Sequence, residues 1–259
     1  MAKTIAIANQ KGGVGKTTSC MNLGTALAER GKRILLVDAD AQGNLTSALG
    51  IERPDTLTQS LADLLLEAIN GEEPDVHRVI RRHEEGVDFI PGNIMLASLE
   101  RVLNDTMARE TLLRRVLGEV KDKYDYIFID CQPALGVLTV NALVAADSVL
   151  VPVQAHFFSV QGLQELFKTI GIARRTLNPQ LAIEGVLFTF MQKTRFNQEV
   201  VVAVRESYGG QIPIFGNMIP QSIRAAESTA EGHSIFRHDP KGKIAQAYGE
   251  VAKEVLRHG

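Results

Sequence analysis

Six short apolar runs limit what this chain can become: TIAIAN at 4–9, RILLVD at 33–38, VDFIP at 87–91, YIFID at 126–130, SVLVPV at 148–153 and IEGVLFTF at 183–190. Their apolar residues are consecutive rather than alternating, as in strands covered on both faces. Between them lie stretches with helical spacing at 17–30, closed by Gly31 as a C-cap, and at 57–69, 94–103, 161–177 and 243–256. Strand followed by helix along the whole length predicts an α/β fold: a doubly wound, mostly parallel central sheet flanked by helices. With no linker rich in Pro, Gly or Ser and no internal repeat, residues 1–259 are expected to form a single domain.

Charge and cysteine content exclude several classes. The formal net charge of −2 gives no whole-molecule attraction to nucleic acid or anionic lipid. Residues 160–259 nevertheless hold 12 Lys/Arg against 9 Asp/Glu, so any nucleic-acid contact is expected to be a local patch in the C-terminal part. Cys20 and Cys131 stand far apart and support neither a disulfide framework nor a zinc cluster, which fits a reducing cytosol. The apolar start at 4–8 is too short for a signal peptide, and the apolar segment 142–153 contains Asp147 and Pro152. No run reaches the ~18 residues of a membrane span.

The string GGVGKTT follows the first expected strand and opens the first expected helix, the setting of a phosphate-binding loop. Glycines let the backbone approach closely, so the amides of Gly13, Val14, Gly15 and Lys16, behind Gly12, would face phosphate oxygens at a helix N-terminus. Lys16 would neutralise the β- and γ-phosphates, the Thr17 hydroxyl would bind Mg²⁺, and Thr18 would touch the α-phosphate. The general spacing G-x-x-x-x-G-K-[ST] is not met, because Gln10 stands five positions before Gly15. DADAQGN at 38–44 puts Asp38 and Asp40 at a strand's carboxyl end, where phosphates bind in such folds. Asp130, ending YIFID, would reach Mg²⁺ directly or through water. Asp38 either supports the metal or holds its own loop. No N-K-x-D guanine-reading motif occurs, which favours ATP over GTP.

The loop KGGVGKTT at 11–18 resembles the deviant phosphate loop of the ParA/MinD group of ATPases. The resemblance implies that Lys11 is a signature lysine reaching across a homodimer interface to the partner's ATP. Like-charge crowding disfavours a second lysine of the same chain on those phosphates. DADAQGN is similar to the group's D-x-D-P-Q-G-N, with Ala41 in place of proline, and Asp40 takes the role of the catalytic carboxylate on the attacking water. IDCQP is similar to I-D-C-P-P with Gln132 substituted; Cys131 is read as a buried thiol rather than a cluster ligand. IPQS at 219–222 is similar to an I-P-R-N stretch, which implies that Pro220 and Ser222 line the adenine.

Segments 136–154, 177–201 and 238–256 resemble the small, Soj-like partitioning ATPases, and the likeness runs from about residue 2 to residue 257. It implies a cycle: Mg²⁺-ATP sandwiches a homodimer, the dimer binds double-stranded DNA without sequence preference, and a ParB-like partner stimulates an otherwise slow hydrolysis and releases it. Lys193, Arg195 and Arg224 are the candidate DNA contacts, followed by Arg205, Arg237, Lys241 and Lys243. A MinD-like membrane-cycling ATPase is the rival. The closing helical stretch carries Glu250 and Glu254 rather than a basic membrane-seeking face, so no membrane partner and a cytoplasmic, nucleoid-associated protein are expected. The cargo, DNA or a protein assembly positioned on the nucleoid, stays open.

Overall fold

Each of the six apolar runs forms a strand. The computed structural model describes residues 1–103, 106–156 and 159–258. The strands are β1 (Lys3–Ile7), β2 (Ile34–Ala39), β3 (Arg81–Arg82), β4 (Asp88–Ile90), β5 (Tyr126–Cys131), β6 (Ser148–Gln154) and β7 (Ala182–Thr189). They join in one seven-stranded sheet of order β3-β4-β2-β5-β1-β6-β7. Every pairing is parallel except that of β3 with β4. β3, two arginines at the edge, carries no apolar run and was not foreseen.

The helices are α1 (Lys16–Ala28), α2 (Asn44–Ala48), α3 (Leu61–Ile69), α4 (Val76–Val79), α5 (Met95–Leu103), α6 (Leu112–Gly118), α7 (Val137–Ala145), α8 (Ser159–Thr176), α9 (Arg195–Tyr208), α10 (Arg224–Ala230), α11 (Ile235–His238) and α12 (Lys243–Arg257). The five expected helices are α1, α3, α5, α8 and α12. α1 ends at Ala28, two residues short of the expected bound, and Gly31, at φ 78°, turns the chain away where the Gly31 and Lys32 amides return to the Ala28 and Leu27 carbonyls. α3 starts four residues later than its apolar pattern, because Ser60 and Asp63 form a reciprocal cap.

Two apolar layers cover the sheet. One face carries Cys20, Leu23 and Leu27 of α1 with Tyr248, Val251 and Val255 of α12. The other carries residues of α3 and α5–α9, among them Leu64, Leu99, Val116, Leu143, Leu166 and Val204. The chain first builds outward through β2 and β4, then returns through β5 and crosses to β6 and β7. The reversal lies at the carboxyl end of β1, the crevice where sheets of this type hold ligands. Among the described residues no helix is long and apolar enough to cross a membrane.

Candidate nucleotide site

Register alone brings two carboxylates together: in the β2–β5 ladder Asp38 faces Asp130, and Asp130 faces Ile7 of β1. The loop after Ile7 therefore leaves the sheet directly beside both acids. Gly13 and Gly15 take left-handed backbone angles, φ 70° and 84°, and Gly15 caps α1 with no side chain over the helix end. Carbonyls of this loop are tied down from outside. The Thr189 hydroxyl donates to Val14 O at 2.8 Å, Gln154 Nε2 to Gly13 O at 2.6 Å, and Asn9 Nδ2 anchors the approach on Pro152 O at 2.7 Å. The amides of Gly12, Gly13, Val14 and Gly15 have no acceptor among the described residues. Four free N–H groups ahead of an open helix N-terminus form an anion cradle.

Lys16 lies inside this loop, buried, with its Nζ 3.2 Å from the Lys11 carbonyl. Burial lowers its pKa, while Asp130, Cys131 and Asp40 pull the other way. Lys11 is its opposite. Its side chain is exposed and has no hydrogen bond or ion pair among the described residues; its backbone alone is held, the amide by Asn9 Oδ1 at 3.0 Å and the carbonyl by Lys16.

The three acids differ as sharply. Asp38 is consumed by its own loop: Thr46 donates from N at 2.8 Å and from Oγ1 at 2.6 Å, and Asp40 N from 3.2 Å. Burial pushes its pKa up to about 6 in spite of those donors. Asp130 accepts from the Thr17 hydroxyl at 2.7 Å through one oxygen, while its buried Oδ1 has no partner among the described residues. Burial, then the neighbouring Asp38 charge, hold its pKa well above the ordinary carboxylate range. A buried carboxylate with an orphaned oxygen beside a hydroxyl is short of positive charge, and these residues fit a divalent cation bound with phosphate. Asp40 lies at the cleft wall, one oxygen accepting from the Gln42 amide at 3.0 Å.

Gly12, Gly13, Gly15, Lys16, Thr17, Thr18 and Asp40 line a cleft of about 570 Å³ together with Pro133 and with Ala226, Thr229 and Ala230 of α10. A smaller space of about 100 Å³ adjoins it, sharing Gly15, Thr18, Phe190 and Ala226 and walled by Ile219, Pro220, Ser222 and Tyr248. Pro220 and Ser222 thus border an apolar slot next to the phosphate cradle. Phe190, Thr189, Gln154 and the α10 wall had no motif to announce them. Phe190 sits between the two spaces at a φ of 52°, rare for an aromatic residue.

The basic candidates divide. Lys193 and Lys243 line one open groove with Asn217 and Gln246, and Arg195 begins α9 just beyond it, exposed. Arg224 opens α10, exposed, 4.0 Å from Glu227. Arg205 borders a different groove formed with residues 209–214, Lys241 is exposed ahead of α12, and Arg237 is ion-paired with Glu84. Both cysteines are buried, and burial raises the pKa of each thiol. Gln132, in the loop leaving Asp130, donates to Glu100 of α5 at 2.9 Å.

A family model described as an AAA domain matches residues 2–183. The chain is 44% identical over 261 residues to the sporulation initiation inhibitor protein Soj of Bacillus subtilis, with 100% of each covered. It is 42% identical over 257 residues to the chromosome partitioning protein ParA of Caulobacter vibrioides, covering 98% of this chain and 94% of that one. Among solved structures, a cobyrinic acid a,c-diamide synthase from Mycobacterium smegmatis with bound ATP analog and magnesium superposes with a TM-score of 0.86 at 37% identity, covering 100% of this chain and 96% of its own. Full-length identity to Soj and ParA, on a parallel sheet whose β1–α1 loop is a phosphate cradle, shows that the chain belongs to the ParA/Soj partitioning ATPases of the ParA/MinD type.

Proposed function

We propose that this protein, acting as one ATPase domain, is an Mg²⁺-dependent partitioning ATPase that pairs on ATP, binds double-stranded DNA non-specifically as the pair, and is discharged by a ParB-like activator. The observation that carries the reading is the divergent setting of its two loop lysines: Lys16 turned into the cradle, Lys11 exposed and unpartnered beside it. One lysine serves the chain's own phosphates and the other is available to a facing copy's.

The residues divide the chemistry. The amides of Gly12–Lys16 and the helix end would hold the phosphate oxygens, with Thr18 at the α-phosphate and Pro220 and Ser222 flanking the base. Mg²⁺, held by Thr17 and Asp130, supplies charge neutralisation on the phosphates. Asp38 keeps the loop that carries Asp40 in place. Asp40 would orient the attacking water and accept its proton, and Lys11 and Lys16 would offset the charge that develops on the transferred phosphoryl group. A single carboxylate without a second base supports slow turnover until a partner orders the loops.

A membrane-cycling role like MinD's gains nothing from α12. That helix is amphipathic, but Ile244, Tyr248, Val251 and Val255 on its apolar face are buried against α1 and the sheet. Amide synthesis by ammonia release from glutamine gains nothing either, since both thiols are buried and held protonated.

Light scattering with DNA retention tests the proposal. With Mg²⁺ and a nonhydrolysable ATP analogue the protein is expected to double in mass and retain duplex DNA of unrelated sequences equally, and with ADP to do neither. A monomer with the analogue, or DNA retention indifferent to nucleotide, would overturn it.

A further inference from the structure

Far along the chain from the phosphate loop, two segments meet through a cluster of ligand-type side chains. His83, Glu84 and Glu85 occupy the turn between β3 and β4, and His233 and Ser234 the loop between α10 and α11. One donor atom from each of His83, Glu84 and His233 lies within 4.8 Å of the other two. His233 Nδ1 is 3.4 Å from Glu84 Oε1, yet that nitrogen is buried and makes no hydrogen bond among the described residues. A tetrahedral zinc site with Zn–N and Zn–O bonds of 2.0–2.1 Å places neighbouring ligand atoms about 3.3–3.4 Å apart, so this pair stands at the separation of two ligands of one ion.

We propose that His83, Glu84 and His233 form a zinc-class transition-metal site, with water as fourth ligand. Two imidazoles and one carboxylate suit zinc rather than magnesium or calcium, which take oxygen donors. Two of the three ligands are also held by neighbouring groups. Arg237 ion-pairs with Glu84 through Oε1, the oxygen that also faces His233 Nδ1, so it holds the carboxylate at the site and passes to the second oxygen when an ion takes the first. Backbone flanks the buried His83 ring on both sides, the Glu85 amide donating to Nδ1 and the Gly232 carbonyl accepting from Nε2, both at 3.3 Å. Contacts this long are displaced at small cost when a ring nitrogen turns to an ion. Glu85 clasps the facing loop, accepting from Ser234 N at 2.8 Å and from the Ser234 hydroxyl, so the two segments are already docked. Glu84 is about half exposed, which gives the ion an entry path and the third ligand freedom to close.

The position gives the site a consequence. The loop bearing His233 follows α10, whose Ala226, Thr229 and Ala230 wall the nucleotide cleft. A bound ion ties that wall to the β3–β4 turn, at the opposite end of the strand order from β7.

Calorimetric titration of zinc chloride into chelator-treated, full-length protein without nucleotide or magnesium tests the site. One equivalent is expected to bind and to raise the melting temperature. Affinity is expected to fall roughly tenfold or more in His233→Gln and in Glu84→Gln, and to persist in His77→Gln on α4. Glu84→Gln alters an exposed side chain, so an unchanged melting temperature without zinc shows that lost binding is not lost folding. Absence of a one-to-one site in the wild type, or wild-type affinity retained in Glu84→Gln or in His233→Gln, overturns the proposal.

Discussion

Lys11 and Lys16 are five residues apart and have almost nothing in common physically. Lys16 is desolvated, faces Asp130 and Asp40, and gives its ammonium a single carbonyl partner 3.2 Å away. Phosphate oxygens would replace that carbonyl with full negative charge in a site already stripped of water, where charge-assisted bonds are strongest. Lys16→Ala is therefore expected to lower affinity for a fluorescent ATP analogue by roughly 10²–10⁴-fold, at about 1.5–3 kcal/mol per charged hydrogen bond over two phosphates. Lys11→Gln changes an exposed side chain and is expected to leave monomer affinity within a few-fold while abolishing the ATP-dependent rise in mass. Equal loss of nucleotide affinity in both variants would remove the cross-subunit role. Asp40→Ala takes away the one carboxylate assigned to the water and leaves Asp130 and Thr17 in place. It is expected to hydrolyse roughly 10²–10³-fold more slowly and to accumulate as the ATP-bound dimer; a variant that cannot dimerise would make Asp40 a structural residue. The glycines, lysines and acids of this site were legible in the sequence because each has a fixed chemical task at a fixed spacing. Gln154, Thr189 and Phe190 were not, since they reach the loop from β6 and β7 through the sheet order, which no local spacing records.

At the scale of elements, the apolar runs announced the strands and helical spacing announced α1, α3, α5, α8 and α12. α9 was missed although it has fourteen residues and buries Val200, Val201 and Val204. The other elements that escaped have a signal that is short or mixed. β3 is two arginines held by pairing with β4, and α2, α4 and α11 are five residues or fewer, below the length at which a helical period can be read. α7 is apolar all round, buried between its neighbours, so it carries no stripe. α3 shows how a cap outranks a pattern. Its apolar spacing extends back to Leu57, but the Ser60 side chain accepts from the N3 amide and the Asp63 carboxylate accepts from the Ser60 amide at 2.8 Å, which sets the start at Leu61. Ser60 is also fully buried, its hydroxyl beside Asn93 at 3.3 Å. Ser60→Ala is expected to destabilise the protein by about 1 kcal/mol through the lost cap, with up to ~2 kcal/mol where the buried partners are left unpaired. Urea unfolding of the two proteins measures it, and equal midpoints would mean that packing rather than the cap fixes the start of α3.

For the whole molecule, the charge balance decides how the proposed binding of DNA could work. A chain with net charge −2 repels a duplex on average, so attraction must come from one surface. Lys193 and Lys243 share a groove, with Arg195 exposed at the start of α9 and Arg224 exposed at the start of α10. Arg237, tied to Glu84, is poorly placed to join them. A few cations on one protomer give weak binding that physiological salt erases; pairing two protomers doubles the contacts and so multiplies their equilibrium constants. ATP would then control DNA affinity without touching any DNA-binding residue, by deciding whether one patch or two face the duplex. Arg195→Glu tests this link. The residue is exposed and distant in sequence from the phosphate loop, so nucleotide affinity and ATP-dependent mass are expected to stay unchanged. If Arg195 neutralises one phosphate in each protomer, the dimer loses two contacts. The slope of log affinity against log salt then becomes shallower by about 2, with added repulsion from the two new carboxylates. Filter binding across a salt series, with the nonhydrolysable analogue present, measures that slope. A variant that retains DNA as tightly as the wild type at moderate salt, on an unchanged slope, would place the DNA-facing surface elsewhere on the molecule.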